Sequence, residues 1–154
     1  MTLVMKFGGT SVGSAQAMRE TADLILNARE EWGQVVVVAS AMGSKPVKVT
    51  DLLLNGASTA LAGDAETYQT VAHTLRQVHY EAIDGLLAPE GERQKVLAEN
   101  GKFIERYTAL CQAVLALGEL TPRALDTIGG MGEQMSVRIL AAYLRQIGHP
   151  AEAA

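Results

Sequence analysis

The run Val35-Val36-Val37-Val38-Ala39 limits what this chain can fold into more than any other stretch. Four consecutive β-branched residues favour extended backbone, and the lack of polar alternation predicts a strand covered on both faces, as in a parallel sheet. A second apolar run, Thr2 to Phe7, is broken by Lys6 and closed by Gly8-Gly9, which predicts a strand ending in a glycine turn. Between the two, Ala17, Thr21, Leu24, Ile25 and Ala28 recur at helical spacing, with Ser14 placed to cap the helix and Gly33 to end it. Strand, helix and strand within about 40 residues make one βαβ unit. The fold class expected is α/β, a parallel sheet with flanking helices.

The remainder reads as helix. After a loop over residues 40–49, Thr50-Asp51 marks a helix start with Thr50 as its cap. Tyr68, Val71, Leu75, Val78, Ala82 and Leu86 step by three or four, as do Phe103, Tyr107, Leu110, Val114 and Leu117. These predict two long amphipathic helices joined near Pro89, a helical hairpin insertion over about 52–118 standing beside the sheet. Thr121-Pro122 is a further helix start, Gly129-Gly130 an interruption, and Gly148 with Pro150 a final stop. Two strands are a poor core for so many helices, so the chain is expected to be a truncated part of a larger domain.

Composition narrows the class. The 154 residues have room for one domain, and 48% hydrophobic against 19% charged residues suits a packed core. With 17 acidic and 13 basic residues, and no block of Lys or Arg, a nucleic-acid platform is not expected. No apolar run approaches the roughly 18 residues of a membrane span, and no secretory signal is read at the N-terminus. A single cysteine, Cys111, fits a reducing compartment, so a cytoplasmic location is expected.

The chemistry is concentrated in Lys6-Phe7-Gly8-Gly9-Thr10-Ser11, at a strand-to-helix junction. Paired glycines let a backbone approach an anion closely and turn its N–H groups toward it, and the following helix adds its positive end. Thr10 and Ser11 supply hydroxyls and Lys6 a point charge. The spacing is neither that of the Walker loop nor that of the dinucleotide fingerprint, and by itself it leaves a phosphate cradle and an ordinary tight turn equally open. Elsewhere, Glu133 reads as a helix-start acid favoured by the dipole. Arg138 and Arg145, seven apart, read as a solvated stripe, and Cys111 as a buried inert thiol. His73, His79 and His149 make no metal site.

The stretch Val4-Met5-Lys6-Phe7-Gly8-Gly9-Thr10-Ser11-Val12 resembles the N-terminal signature of aspartokinases, in the amino-acid kinase superfamily. Two further stretches agree in order. VVVVASAMG with Thr50-Asp51-Leu52-Leu53 is similar to the second strand and substrate loop of that family. LTPRALDTIGGMGEQMS is similar to its Gly-Glu-x-x-Ser helix start, although Gly130 stands where a Ser is common.

The resemblance implies transfer of the ATP γ-phosphoryl group to the side-chain carboxylate of L-aspartate, with Mg²⁺ arriving on the nucleotide. It implies that Lys6 stabilises the transferring group and that Gly8, Gly9 and Thr10 bind phosphate oxygens. Glu133 would meet the substrate ammonium, and Ser40 and Thr50 would contact bound aspartate. A carboxylate acceptor, with a pKa of about 3.9, needs no general base at neutral pH, so catalysis reduces to positioning and charge neutralisation. The family's later elements are not found in these 154 residues: the Gly-Gly-Ser-Asp stretch, the adenine- and ribose-binding half, and the ACT domains. The chain alone is therefore expected to be inactive. An uncovered sheet edge leads us to expect a homo-oligomer.

Overall fold

A computed structural model of the chain describes residues 1–44 and 46–154; Lys45, within the expected 40–49 loop, lies outside the described residues. β1 (Thr2–Phe7) and β2 (Gln34–Ala39) pair in parallel, Thr2 opposite Gln34 through Phe7 opposite Ala39, with α1 (Ala15–Trp32) crossing between them. The expected βαβ unit is therefore present. Ser14 caps α1, its hydroxyl accepting from the Ala17 N–H at 3.1 Å, and Gly33 ends the helix at φ 77°.

The two strands are covered on one face only, which corrects the expectation of cover on both. Phe7 and Ala39 are buried and Leu3, Met5, Val35 and Val37 half-buried, whereas Val4, Val36 and Val38 on the other face are 64%, 50% and 47% exposed. The valine run is apolar on both sides because each side can be covered, but the helices of this chain pack on one.

A layer of three helices stands beside this unit: α2 (Val49–Leu61), α3 (Thr67–Leu86) and α4 (Glu92–Leu117), with α3 and α4 packed along one another and both against α2. Leu53, Leu75, Ile83, Ile104 and Tyr107 are buried in it. Thr50 does not cap α2. The helix begins at Val49 after Lys48, which offers no side-chain cap, because β3 (Gly43–Ser44) and β4 (Val47–Lys48) form a short antiparallel pair that runs directly into it. The chain returns through α5 (Pro122–Gly129), capped by Thr121 with Pro122 at its first position, and α6 (Met131–Gln146). α6 packs against α4 and reaches β2, so its first turn arrives beside the C-terminal ends of both strands.

Candidate functional site

After Phe7 the chain makes a 3-10 turn (Gly9–Val12), closed by the Ser11 N–H donating to the Gly8 carbonyl at 3.0 Å. The buried Thr21 hydroxyl of α1 donates to the Ser11 carbonyl at 2.7 Å and pins the turn to the helix below it. The two glycines differ. A methyl at Gly9 would stand 3.0 Å from the Ala41 carbonyl oxygen and 3.3 Å from the Gly43 backbone, so the loop after β2 requires glycine there. Gly8 has an ordinary extended backbone, φ −79° and ψ 172°, and a methyl on it would meet nothing within 4 Å. Nothing in the described fold demands glycine at Gly8. Lys6 and Thr10 are exposed, and Lys6 forms no ion pair with a described residue.

The end of β2 is tied to this turn and to α6. The Ser40 N–H donates to the Phe7 carbonyl at 3.0 Å, and the Ser40 carbonyl accepts from the Ser136 hydroxyl at 2.7 Å. The Val49 N–H donates to the Met42 carbonyl at 3.0 Å, which brings the first turn of α2, with half-buried Thr50, to the same loop. α6 closes in through Gly132, where a methyl would lie 2.6 Å from the Ala41 Cβ and 2.9 Å from Val49 Cγ1. The next residue, Glu133, sits in the first turn of α6, and its Oε2 is buried with no hydrogen-bond partner among the described residues. Glu133 borders a groove of about 710 Å³ that follows the unpaired edge of β2 between α1 and α6.

Lys6, Gly8, Gly9, Thr10, Ser40, Thr50 and Glu133 thus come from four separate segments that converge at one end of the strands. Lys6 and Glu133 form no ion pair with each other. An open α/β sheet binds ligands outside the carboxyl ends of its strands, and here that end carries an exposed ammonium group, an open glycine turn and a buried carboxylate oxygen.

The arginines of α6 do not form a solvated stripe. Arg138 lies over the Phe103 ring at 4.9 Å and donates to the Gln134 carbonyl, while Arg145 pairs with Glu92 at 2.6 Å and donates to the Ala151 carbonyl at 2.9 Å. Cys111 is fully buried, and burial pushes its thiol pKa up, which leaves it unreactive. Among the described residues no three His, Cys, Asp or Glu side chains gather as metal ligands. Sequence reasoning gave Ser136 and Thr21 no part in the site. The Gly132-Glu133-x-x-Ser136 spacing was visible, but the partner of Ser136 lies 96 residues away.

The chain matches the amino acid kinase family over residues 1–154. It is 35% identical over 153 residues to aspartokinase 2, chloroplastic, of Arabidopsis thaliana, covering 98% of this chain and 26% of that protein. It is 30% identical over 148 residues to the aspartokinase of Candida albicans, with 95% and 26% covered. The chain spans about a quarter of the length of these curated relatives. The structure superposes on E. coli aspartokinase III in complex with aspartate and ADP with a TM-score of 0.76 and 26% identity, covering 96% of this chain and 29% of that one. The lysine- and aspartate-bound form of the same enzyme gives 0.76 and 25%, with 97% and 30% covered. The α/β fold, the converging end of the strands and the match along the whole chain place it in the amino acid kinase family, among relatives that are aspartokinases.

Proposed function

We propose that the chain supplies the phosphate-facing turn and the amino-acid-facing helix of an aspartate kinase, which converts ATP and L-aspartate to ADP and 4-phospho-L-aspartate at the head of lysine, threonine and methionine biosynthesis. The bond from Pγ to the bridging oxygen breaks, a bond from Pγ to the aspartate side-chain oxygen forms, and no proton moves. Lys6 neutralises charge on the migrating group, and Gly8, Gly9 and Thr10 offer N–H and hydroxyl donors to its oxygens. Ser40, Thr50 and Glu133 hold the amino acid. Mg²⁺ enters with the nucleotide.

The observation that carries this reading is the Glu133 Oε2. A carboxylate oxygen removed from water without a partner is costly, and an ammonium group of an amino-acid substrate would satisfy it. The open position at Gly8 supports the other half, since close approach of a phosphate needs the space that a side chain would fill. By themselves these 154 residues are proposed to be inactive, because they span a quarter of their relatives. A cytoplasmic home accords with the free buried thiol of Cys111, and no described helix is long and apolar enough to cross a membrane. Homo-oligomerisation is proposed through the open sheet face of Val4, Val36 and Val38. A strictly monomeric species in light scattering at high concentration would refute it.

The reaction is tested by ADP release from the whole gene product with ATP, Mg²⁺ and either L-aspartate, L-glutamate or N-acetylglutamate. Turnover is expected with aspartate, and Lys6→Ala should lower kcat by roughly 10²–10³. Preference for a glutamate substrate would replace the reading, and unchanged turnover in Lys6→Ala would remove Lys6 from it.

A further inference from the structure

Ser136 is a fully buried hydroxyl one turn beyond Glu133 on α6. A serine inside a helix ordinarily donates back to a carbonyl of the preceding turn, and the Glu133 carbonyl is within reach at 3.1 Å. The shorter contact, 2.7 Å, instead crosses to the Ser40 carbonyl at the end of β2. The hydroxyl has one proton to give, and the geometry favours the crossing bond. Ser40 is itself anchored to β1 by its N–H on the Phe7 carbonyl. One line of hydrogen bonds therefore runs from the strand bearing Lys6, through Ser40, to the helical turn that presents Glu133.

The close contacts that Gly132 makes at this junction are apolar. Gly132 lets α6 approach Ala41 and Val49 closely, but packing of that kind sets a distance of approach more firmly than a position along the helix axis. The Ser136–Ser40 bond is directional and fixes the second. We propose that Ser136 is a positioning residue that sets the separation between Ser40 and Glu133, and so the length of amino acid the site accepts. This rests on reading Ser40 and Glu133 as substrate contacts. A site held to one spacing discriminates against a substrate longer by one methylene, whereas a site free to slide does not.

The test uses the whole gene product with three substitutions: Ser136→Ala, Ser136→Cys, which keeps the shape with a somewhat larger atom but donates weakly, and Ser136→Thr, which keeps the hydroxyl. Ser136→Ala and Ser136→Cys should each raise KM for L-aspartate about tenfold while KM for ATP stays within about twofold, since one directional bond is lost and the phosphate turn is untouched. The preference for aspartate over glutamate should narrow with them, and Ser136→Thr should stay within about threefold of the parent. Should Ser136→Ala not fold, the contrast between Cys and Thr decides between the outcomes. An unchanged KM for aspartate, an equal rise in both KM values, or Thr behaving as Cys would overturn the proposal. Glu133→Gln separates the two levels. If it leaves KM for aspartate unchanged, the substrate reading fails, and if it raises KM where Ser136→Cys does not, only the positioning role fails.

Discussion

Among the described residues, buried side-chain polar atoms without partners occur in two regions, and their surroundings differ. In the helical layer they are His79 Nε2, Asn100 Oδ1 and the Tyr107 hydroxyl, each on a residue with no exposed surface. At the strand ends the orphan is Glu133 Oε2, on a half-buried residue bordering an open groove. Each lacks a hydrogen-bond partner by geometry among the described residues, which costs stability. Only the second lies on a residue that keeps exposed surface and borders a groove. The same defect is a burden of packing in one place and an unused acceptor beside a groove in the other.

Glu133→Leu tests the contrast most strongly. It should reduce kcat/KM for aspartate by roughly 10²–10³. In the same protein, removing a carboxylate whose Oε2 has no partner among the described residues should raise stability in a urea titration by at most about 1 kcal/mol, since its favourable interaction with the helix dipole is lost with it. A loss of stability would show that the chain already satisfies the carboxylate, and the contrast would fall.

His79 is the counterpart in the helical layer. Its Nδ1 lies 2.7 Å from the Leu75 carbonyl, so Nδ1 carries the proton and Nε2 faces the core bare. Burial pulls its pKa from 6.5 down to about 4. The unfolded chain therefore binds a proton between pH 6.5 and about 4 that the folded one refuses, and stability falls as pH drops through that window. The loss should reach about 3 kcal/mol by pH 4. His79→Leu should flatten this dependence while leaving aspartate kinetics at pH 7.5 unchanged.

Gly56 probes the same layer through sterics. A methyl there would collide with the Tyr107 hydroxyl and stand 3.3 Å from the Tyr68 backbone, so Gly56→Ala must displace a buried ring. We expect a loss of about 2 kcal/mol, read as a lower urea midpoint. Gly8→Ala, in open space, should leave the midpoint unchanged and weaken only nucleotide handling.

Much of the fold was legible because its signals are local. Ser14 and Thr121 cap helices within three residues of themselves, and the runs ending at Phe7 and Ala39 become strands on their own apolar content. Thr50 misled because its side chain suits a cap, whereas the β3–β4 pair starts the helix one residue earlier. The open face at Val36 and Val38 was unreadable, since an apolar residue records that a face can be covered and not that it is. The candidate residues near the glycine turn were legible from residue chemistry and family resemblance. The Ser40–Ser136 tie and the Arg145–Glu92 pair depend on segments 96 and 53 residues apart, and no local pattern encodes such partners.

The smallest effect expected is at Arg145, and it separates two ways a helix can hold its arginines. The Arg145–Glu92 pair is 2.6 Å long with both side chains 28% exposed, a position where an ion pair contributes about 0.5–1 kcal/mol and salt screens it. The Arg145 guanidinium holds the Glu92 carboxyl below its ordinary pKa. The contribution is therefore full above the unfolded carboxyl range and lost as pH falls through the folded value. Arg145→Ala should lower stability near pH 7 in dilute buffer, and the gap should close both in acid and in concentrated salt. Arg138, which rests on Phe103 and a carbonyl with no carboxylate partner among the described residues, should show a loss on Arg138→Ala that hardly depends on salt, because stem packing and ring contact carry it. If both arginines responded alike to salt, the distinction between a paired and a stacked arginine on α6 would fail.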